Sequence, residues 1–238
     1  MISIKTLASG STGNAYVIDD GKTPLLLEAG IRIQKIKQGC GYGLSGMAGC
    51  LISHEHHDHS KAAADVMACG VDVFCSAGTA EAAGLRGHRL HIVKSKEQFS
   101  IGTWRIMPFK TEHDAREPLG FLLSNGTDKL LFATDTFYLH YTFRGLTYVM
   151  LECNYALDTL DENIAAGYVD ESRRSRLLKS HMSLEQCKAT LAANDLSNVR
   201  QIYLMHLSFK NSDAARFKRE IQRLTGKEVY ICQNRLEA

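Results

Sequence analysis

Four residues with metal-binding side chains lie within one six-residue segment. The segment His54-Glu55-His56-His57-Asp58-His59 directly follows the largely apolar residues 48–53. Residues two apart on a strand point to the same side, so His54 and His56 can reach one ion. Asp58 and His59, in the turn beyond, offer a carboxylate oxygen and an imidazole to a second ion. The pattern predicts a two-metal hydrolytic centre rather than a solvated polar loop.

Three further candidate ligands stand at the ends of strand-like segments. They are His113 after 104–110, Asp135 after 130–133 and His206 after 201–205. Each taken alone is more often a structural residue, but with the loop they complete a set for two ions. His54, His56 and His113 would bind one ion, and Asp58, His59 and His206 the other. Asp135 would bridge two ions about 3.5–4 Å apart, which leaves room for a bridging hydroxide.

The elements that must position these residues are strands and helices in alternation. Strand-like segments are 3–7, 15–19, 25–28, 50–53, 71–75, 89–93, 104–110, 120–124, 129–134, 148–152, 201–206 and 228–232. Helical patterns cover 62–69, 77–84, 183–194 and 212–224, with Ser183 and Ser212 as N-caps of the last two. Mixed strands and helices in two sheet-forming halves predict one α/β domain over 1–238. Its expected architecture is an αβ/βα sandwich with the metal site at one edge between the sheets.

The ordered ligand set resembles that of the metallo-β-lactamase superfamily. Shorter motifs are similar to the YycJ/WalJ group of nuclease-like hydrolases: Ala8-Ser9-Gly10-Ser11-Thr12-Gly13-Asn14, His113-Asp114-x-x-Glu117-Pro118-x-Gly120 and Ser180-His181-Met182-Ser183-x-Glu185-Gln186. More distantly, the chain resembles tRNase Z. The resemblance implies the four-layer sandwich fold and a nucleic-acid hydrolase, with DNA ahead of RNA as substrate.

Two residues are candidates for catalysis. Asp58 can bind metal and also orient the attacking hydroxide, because a carboxylate keeps lone pairs after one coordination bond. His181 resembles the histidine of the Gly-His-Ser-Thr segment of tRNase Z and is the expected proton donor to the leaving group. The alternative for His181 is a partly exposed histidine at a helix entry. Glu152, at the end of 148–152, is placed to orient His181.

Four residues are candidates for substrate binding. Arg173 and Arg176 could bind phosphates by bidentate contacts. In the loop 9–14, Ser11 and Asn14 could line the pocket and hold a phosphate on backbone N–H groups. Alternatively the loop is a tight hairpin turn that satisfies its own backbone, with Asn14 orienting the metal loop.

An aromatic cluster follows Asp135 directly. Phe137, Tyr138, Tyr141 and Phe143 could stack unpaired bases of a nucleic acid. Core packing or a dimer contact would explain the same residues equally well. The sequence therefore leaves both their role and the oligomeric state, including a homodimer, open.

Composition limits the remaining possibilities. The 238 residues carry a net charge of +2, too little to indicate nucleic-acid binding by itself. Seven cysteines without a C-x-x-C pair indicate reduced thiols, and no apolar run approaches the roughly 20 residues of a membrane span. We expect a soluble cytoplasmic hydrolase with two divalent ions, whether Zn, Mn, Fe or Ni. A thioesterase or lactonase of the same fold and a catalytically silent scaffold are the alternatives.

Overall fold

Strands and helices alternate along the chain in the computed structural model, which describes residues 1–233 apart from the side chain of Arg173. The strands within this range are β1 (Ser3–Ala8), β2 (Ala15–Asp19), β3 (Leu25–Leu27), β4 (Gly49–Leu51), β5 (Val73–Cys75), β6 (Leu90–Ile92), β7 (Phe99–Ile101), β8 (Trp104–Lys110), β9 (Leu119–Ser124), β10 (Lys129–Ala133), β11 (Tyr148–Glu152), β12 (Gln201–Met205) and β13 (Glu228–Ile231). The α-helices are α1 (Ile33–Gly39), α2 (His57–Ser60), α3 (Ala63–Ala68), α4 (Ala77–Ala82), α5 (Leu157–Ala165), α6 (Glu171–Ser180), α7 (Leu184–Ala192) and α8 (Ala214–Thr225).

The chain forms two compact units. The first unit contains residues 1–110 and 115–128, and the second contains 111–114 and 129–232. The expectation of one domain over 1–238 stays a prediction.

The first unit is built on a six-stranded sheet in the order β1 to β6. The pairs β1/β2 and β2/β3 are antiparallel, and the strands from β3 to β6 are parallel. Successive side chains of a strand face opposite sides, and one side packs against α1, α3 and α4 through buried residues such as Leu26, Ile36 and Val66. The antiparallel strands β7 to β9 belong to the same unit, where Trp104 Nε1 on β8 donates to the carbonyl of Thr23 at 2.8 Å.

The second unit is built on four parallel strands in the order β10, β11, β12 and β13. Helices α5, α6 and α7 connect β11 to β12, and α8 connects β12 to β13. Parallel strands place their carboxyl ends at one edge, so the residues that follow β10, β11 and β12 come together there. Strand β11 is buried at all five positions, as its apolar sequence requires.

Of the two predicted helix N-caps, one is wrong and one is confirmed. Ser212 is not the N-cap of α8, because Asp213 takes that position and accepts a hydrogen bond from Arg216 N at 2.9 Å. The hydroxyl of Ser212 instead donates to the carbonyl of Ser208. Ser183 caps α7 as predicted, accepting from Gln186 N at 3.1 Å.

Within the described range, no helix has both the length and the apolar character that a bilayer span requires. All seven cysteines lie in this range, and each is a free thiol.

Candidate metal and catalytic centre

The histidine-rich loop, residues 54–59, lies in the first unit between β4 and α3 and includes most of α2. His54 is buried, and His56 is the residue that precedes α2. Their rings lie 4.7 Å apart between centroids, and each offers a nitrogen within 4.8 Å of the other. Asp58 and His59 lie on α2, where His59 Nε2 is 3.4 Å from Asp58 Oδ2. The loop therefore presents two imidazoles side by side and a carboxylate next to a third imidazole. His57 is exposed to solvent.

Glu28 supports the histidine-rich loop through contacts with Ser53 and His59, a role that the sequence pattern did not indicate. Its carboxylate accepts from Ser53 N at 3.1 Å and lies 3.5 Å from His59 Nδ1. Burial raises the pKa of the Glu28 carboxyl, an effect that the hydrogen bond and charge of His59 oppose. The hydroxyl of Ser53 lies 2.9 Å from His54 Nδ1 and fixes the orientation of that ring. The only local signal for Glu28 is a carboxylate directly after the apolar strand β3.

Asn14 joins the glycine-rich loop to the histidine-rich loop. Its amide nitrogen donates to the carbonyls of Gly10 and Asp58, at 3.1 and 3.2 Å, and lies 3.1 Å from His59 Nε2. Its side-chain oxygen accepts from Gly10 N at 2.9 Å. Asn14 is fully buried, so these contacts favour the orienting role over direct contact with substrate. Ser11 is exposed at the tip of the loop, and its contact with substrate stays a prediction.

A second cluster of donors lies at the carboxyl edge of the parallel strands in the second unit. Asp135 follows β10, Glu152 ends β11, His206 follows β12 and His181 follows α6. Each offers one nitrogen or oxygen atom, and these four atoms lie within 4.8 Å of one another. His206 Nε2 is 3.7 Å from Asp135 Oδ1. Asp135 and His206 have left-handed backbone angles, with φ of 43° and 55°. This conformation is costly for residues other than glycine and is found preferentially at functional sites.

His113 lies beside this cluster. Its Nδ1 donates to the carbonyl of Ser180 at 2.6 Å, and its Nε2 is 3.5 Å from Asp135 Oδ2. Burial lowers the pKa of His113, although the charge of Asp135 works in the other direction. A neutral imidazole whose Nδ1 carries the proton presents the Nε2 lone pair, which is the form that binds metal.

The part-buried His181 pairs with the buried Glu152, which confirms the pairing predicted from their positions. His181 Nδ1 donates to Glu152 Oε1 at 2.6 Å. The other carboxylate oxygen of Glu152 accepts from Thr136 N at 2.8 Å and from Met182 N at 3.1 Å. Burial lowers the pKa of His181, but the charge and hydrogen bond of Glu152 outweigh burial and raise it above its ordinary value.

The basic residues before His181 lie on α6. Arg176 is exposed, and its Nε donates to Asp114 Oδ2 at 3.0 Å. Asp114 directly follows His113, so the guanidinium lies near the second-unit cluster. Arg174 pairs with Asp161 at 2.9 Å. Arg173 was also predicted to bind substrate, but its side chain is outside the described part of the structure.

The predicted ligands thus divide between the units. His54, His56, Asp58 and His59 cluster in the first unit, whereas His113, Asp135 and His206 cluster in the second. Imidazole nitrogens and carboxylate oxygens suit divalent ions such as Zn, Mn, Fe and Ni. Histidine and aspartate donors at strand ends of a two-sheet α/β fold define a class of metal-dependent hydrolases.

The chain belongs to the beta-lactamase superfamily, because the model of the Beta-lactamase superfamily domain matches residues 28–207. The predicted metallo-β-lactamase fold is confirmed: it is a mixed α/β fold with two sheets and flanking helices. The fold and the candidate ligands together support a metal-dependent hydrolase that binds divalent metal.

Curated relatives support the predicted resemblance to the YycJ/WalJ group. The chain is 26% identical over 230 residues to exodeoxyribonuclease YycJ of Bacillus anthracis, covering 89% of this chain and 84% of the relative. It is also 26% identical over 222 residues to exodeoxyribonuclease WalJ of Streptococcus pneumoniae, covering 87% and 81%.

Solved structures share the fold at lower identity. The metallo-beta-lactamase fold protein YhfI from Bacillus subtilis matches with a TM-score of 0.75 and 15% identity, over 98% of this chain and 96% of that one. The short form of human tRNase Z matches with a TM-score of 0.66 and 11% identity, over 98% and 97%. At these identities the likeness concerns the fold alone.

Proposed function

We propose that the protein is a two-metal phosphodiesterase that hydrolyses nucleic acid, with DNA ahead of RNA as substrate. The observation that carries this proposal is the His181–Glu152 pair beside Asp135. A phosphodiester releases an alkoxide, a poor leaving group that needs a proton. Glu152 accepts from His181 Nδ1, so the opposite ring nitrogen of His181 is the one that delivers the proton. The names of the two exodeoxyribonuclease relatives point to the same substrate class.

The proposed metal ligands are the seven predicted from sequence: His54, His56 and His113 for one ion, Asp58, His59 and His206 for the other, and Asp135 as the bridge. Two divalent ions, when bound, supply an activated hydroxide and neutralise charge on the phosphate. Asp58 would both hold metal and orient the attacking water, because a carboxylate keeps lone pairs after one coordination bond. Glu28 and Asn14 hold the ring of His59 in place, and the hydroxyl of Ser53 holds that of His54, through the contacts described above.

The other side chains position the substrate and the proton donor. Glu152 holds His181 in the tautomer with its proton on Nδ1 before protonation of the ring, and stabilises the imidazolium that delivers a proton. Arg176, and Arg173 from its sequence position, bind phosphates next to the cleaved bond. A cytoplasmic location and the oligomeric state stay predictions.

A substrate panel tests the proposal. Metal-reconstituted protein is assayed on labelled single-stranded DNA, duplex DNA, RNA and a generic thioester, with Asp135→Ala as the control for contaminating nucleases. We expect turnover of DNA that Asp135→Ala abolishes. Turnover of the thioester alone would support the alternative of a small-molecule ester, thioester or lactone hydrolase. Inactivity on all four would favour the catalytically silent scaffold.

A further inference from the structure

A cavity of about 350 Å³ opens in the second unit next to the residues that follow Asp135. Side chains of Tyr138, His140, Tyr141, Gln186, Thr190 and Asn194 line it. This volume lies near the lower end of the range for ligand pockets. The cavity is large enough for one flat ring system but too small for a base-paired duplex. None of these residues has a part in the mechanism proposed above.

One wall of the cavity is anchored directly to the catalytic centre. Thr136 N donates to Glu152, and Thr136 Oγ1 donates to the carbonyl of Tyr138 at 2.7 Å. Farther along, Phe137 N donates to the carbonyl of Glu112 at 3.1 Å, and His140 Nε2 lies 3.2 Å from the Glu112 carboxylate. Three residues of chain span at most roughly 10 Å, so the backbone of Tyr138 lies within that distance of Asp135.

The opposite wall is α7, which begins just after His181. Gln186, Thr190 and Asn194 recur every four residues and share one face of the helix and its extension. Asn194 closes the far end, because its side-chain oxygen accepts from Phe143 N at 2.7 Å and its amide donates to the carbonyl of Thr190 at 2.7 Å. Both walls therefore start within a few residues of the proposed proton donor and the proposed bridging ligand.

The lining matches the chemistry of a nucleobase. The ring of Tyr138 is 41% exposed and meets His140 nearly edge to face, with centroids 4.8 Å apart and planes at 70°. An exposed aromatic face stacks on a base, and amide groups such as that of Gln186 hydrogen-bond to base edges. Core packing accounts for Phe143, which is buried, but not for the exposed Tyr138 and His140.

We infer that this cavity, the base pocket, binds an unpaired nucleobase of the strand being cut, with Tyr138 as its stacking platform. The inference rests on the proposed function and deepens it. It predicts that the protein acts on single-stranded nucleic acid or on frayed ends, because a base inside a duplex cannot enter the pocket.

The base pocket is tested by a double-mutant cycle, in which Tyr138 and one base of the oligonucleotide are removed separately and together. Wild-type protein, Tyr138→Ala and Tyr138→Phe are titrated, without added metal and with chelator, against fluorescent single-stranded oligonucleotides. A matched set of oligonucleotides carries one abasic residue, placed in turn at each position of the strand. We expect Tyr138→Ala to weaken binding of the intact strand about 5- to 100-fold, the range for one stacked base. At one position the abasic residue should produce a similar loss in wild type and little further loss in Tyr138→Ala.

Controls separate this inference from the proposed function. Tyr138→Phe keeps the aromatic ring and should keep the affinity, and an unchanged melting temperature of Tyr138→Ala excludes a folding defect. Tyr42→Ala removes another exposed tyrosine, from the first unit, and should change nothing. Equal losses of affinity for intact and abasic strands in Tyr138→Ala, or no loss at all, would overturn the base pocket while leaving the nuclease proposal standing. Failure of the wild-type protein to bind any oligonucleotide would overturn the base pocket, whereas inactivity of the metal-reconstituted protein on the substrate panel would overturn the nuclease proposal.

Discussion

His181 is fixed at one ring nitrogen, which makes its role separable from that of the metal ligands. The 2.6 Å hydrogen bond to Glu152 uses Nδ1, and the carboxylate is itself held by Thr136 N and Met182 N. We expect His181→Ala to keep the fold and both ions. Its turnover of a natural phosphodiester should fall about 10²- to 10⁴-fold, the usual contribution of general acid catalysis.

The leaving group provides the control for that prediction. A phosphodiester with a nitrophenolate leaving group needs little protonation, so its hydrolysis should survive His181→Ala far better. A similar defect on both substrates would show that His181 positions the substrate or supports the loop. Loss of metal from the variant would make His181 a ligand instead.

Asp135 is the carboxylate predicted to bridge the ions. Its two oxygens lie 3.5 Å from His113 Nε2 and 3.7 Å from His206 Nε2, which places it between two of the proposed ligands. We expect wild-type protein to hold two divalent ions per chain and Asp135→Ala to lose at least one, as measured by elemental analysis. Asp195→Ala, which removes an exposed carboxylate elsewhere in the second unit, should retain both. Full occupancy in Asp135→Ala would defeat the bridging assignment.

At the scale of elements, the histidine-rich loop depends on a close backbone approach at Gly30. A Cβ at Gly30 would lie 1.6 Å from the carbonyl oxygen of Asp58 and 2.8 Å from Asn14 N. That carbonyl accepts from Asn14 N at 2.8 Å, so an added carbon must push α2 away from Asn14 and from the loop 9–14. Gly30 therefore keeps Asp58 and His59 of α2 in their positions relative to His54 and His56.

Gly30→Ala should therefore impair both metal binding and stability. We expect at least a tenfold weaker metal affinity and a loss of at least about 1–3 kcal/mol of unfolding free energy, the usual range for overpacking. Calorimetry with and without metal measures both quantities. Gly46→Ala is the matched control, since a Cβ there would meet nothing within 4 Å. Equal behaviour of the two variants would show that α2 adjusts without consequence.

The elements were predictable where their sequence signal is local. Strands β2, β8 and β11 have the expected bounds, because each carries its own run of apolar and β-branched or aromatic residues. Strand β7 has only three residues, too few for a visible alternation. Helix α6 was missed because it has no apolar stripe of helical period; its N-terminus is marked by Asp170, which accepts from Ser172 N.

The candidate site was predictable from sequence in its metal-binding residue types, in Asn14 as an orienting residue and in the pairing of Glu152 with His181. It was not predictable in Glu28. The role of Glu28 depends on contacts with residues that lie 25 and 31 positions away in the chain. No local pattern contains such contacts. Glu117, a residue of the His113–Gly120 motif, is a second example. Its carboxylate accepts from Gly78 N at 2.8 Å, so its role is structural, and that contact lies 39 positions away in the chain.

At the scale of the whole molecule, charge is arranged locally rather than globally. The net charge is only +2, and the basic residues of α8 are partly neutralised. Arg216 forms two hydrogen bonds with Asp158, which hold the pKa of that carboxyl at about 2, and a third with Glu220. Lys188 also pairs with Glu220, at 2.8 Å. This pairing favours a solvated helix face, rather than a surface for nucleic acid, as the role of the basic residues of α8.

The salt dependence of substrate binding should therefore come from a few contacts near the catalytic centre. Affinity for single-stranded DNA should fall with added salt in proportion to the phosphates contacted. Replacing Arg173 and Arg176 together by alanine should lower the logarithmic slope by about one to two, roughly one for each lost phosphate contact. Lys218→Ala, on the exposed face of α8, should leave the slope unchanged. Salt-independent hydrolysis of nucleic acid would contradict this prediction.

The left-handed backbone conformation of Asp135 and His206 lowers the stability of the folded protein, although both residues belong to the candidate site. Residues other than glycine are strained at φ of 43° and 55°. Glycine would therefore have the lower conformational energy in the folded state at both positions. In metal-free protein, Asp135→Gly should melt at a higher temperature than Asp135→Ala, although both lack the carboxylate; equal melting temperatures would mean that the strain is negligible. Selection for stability alone would favour glycine at both positions. The presence of Asp135 and His206 therefore indicates selection for function at the expense of folding stability.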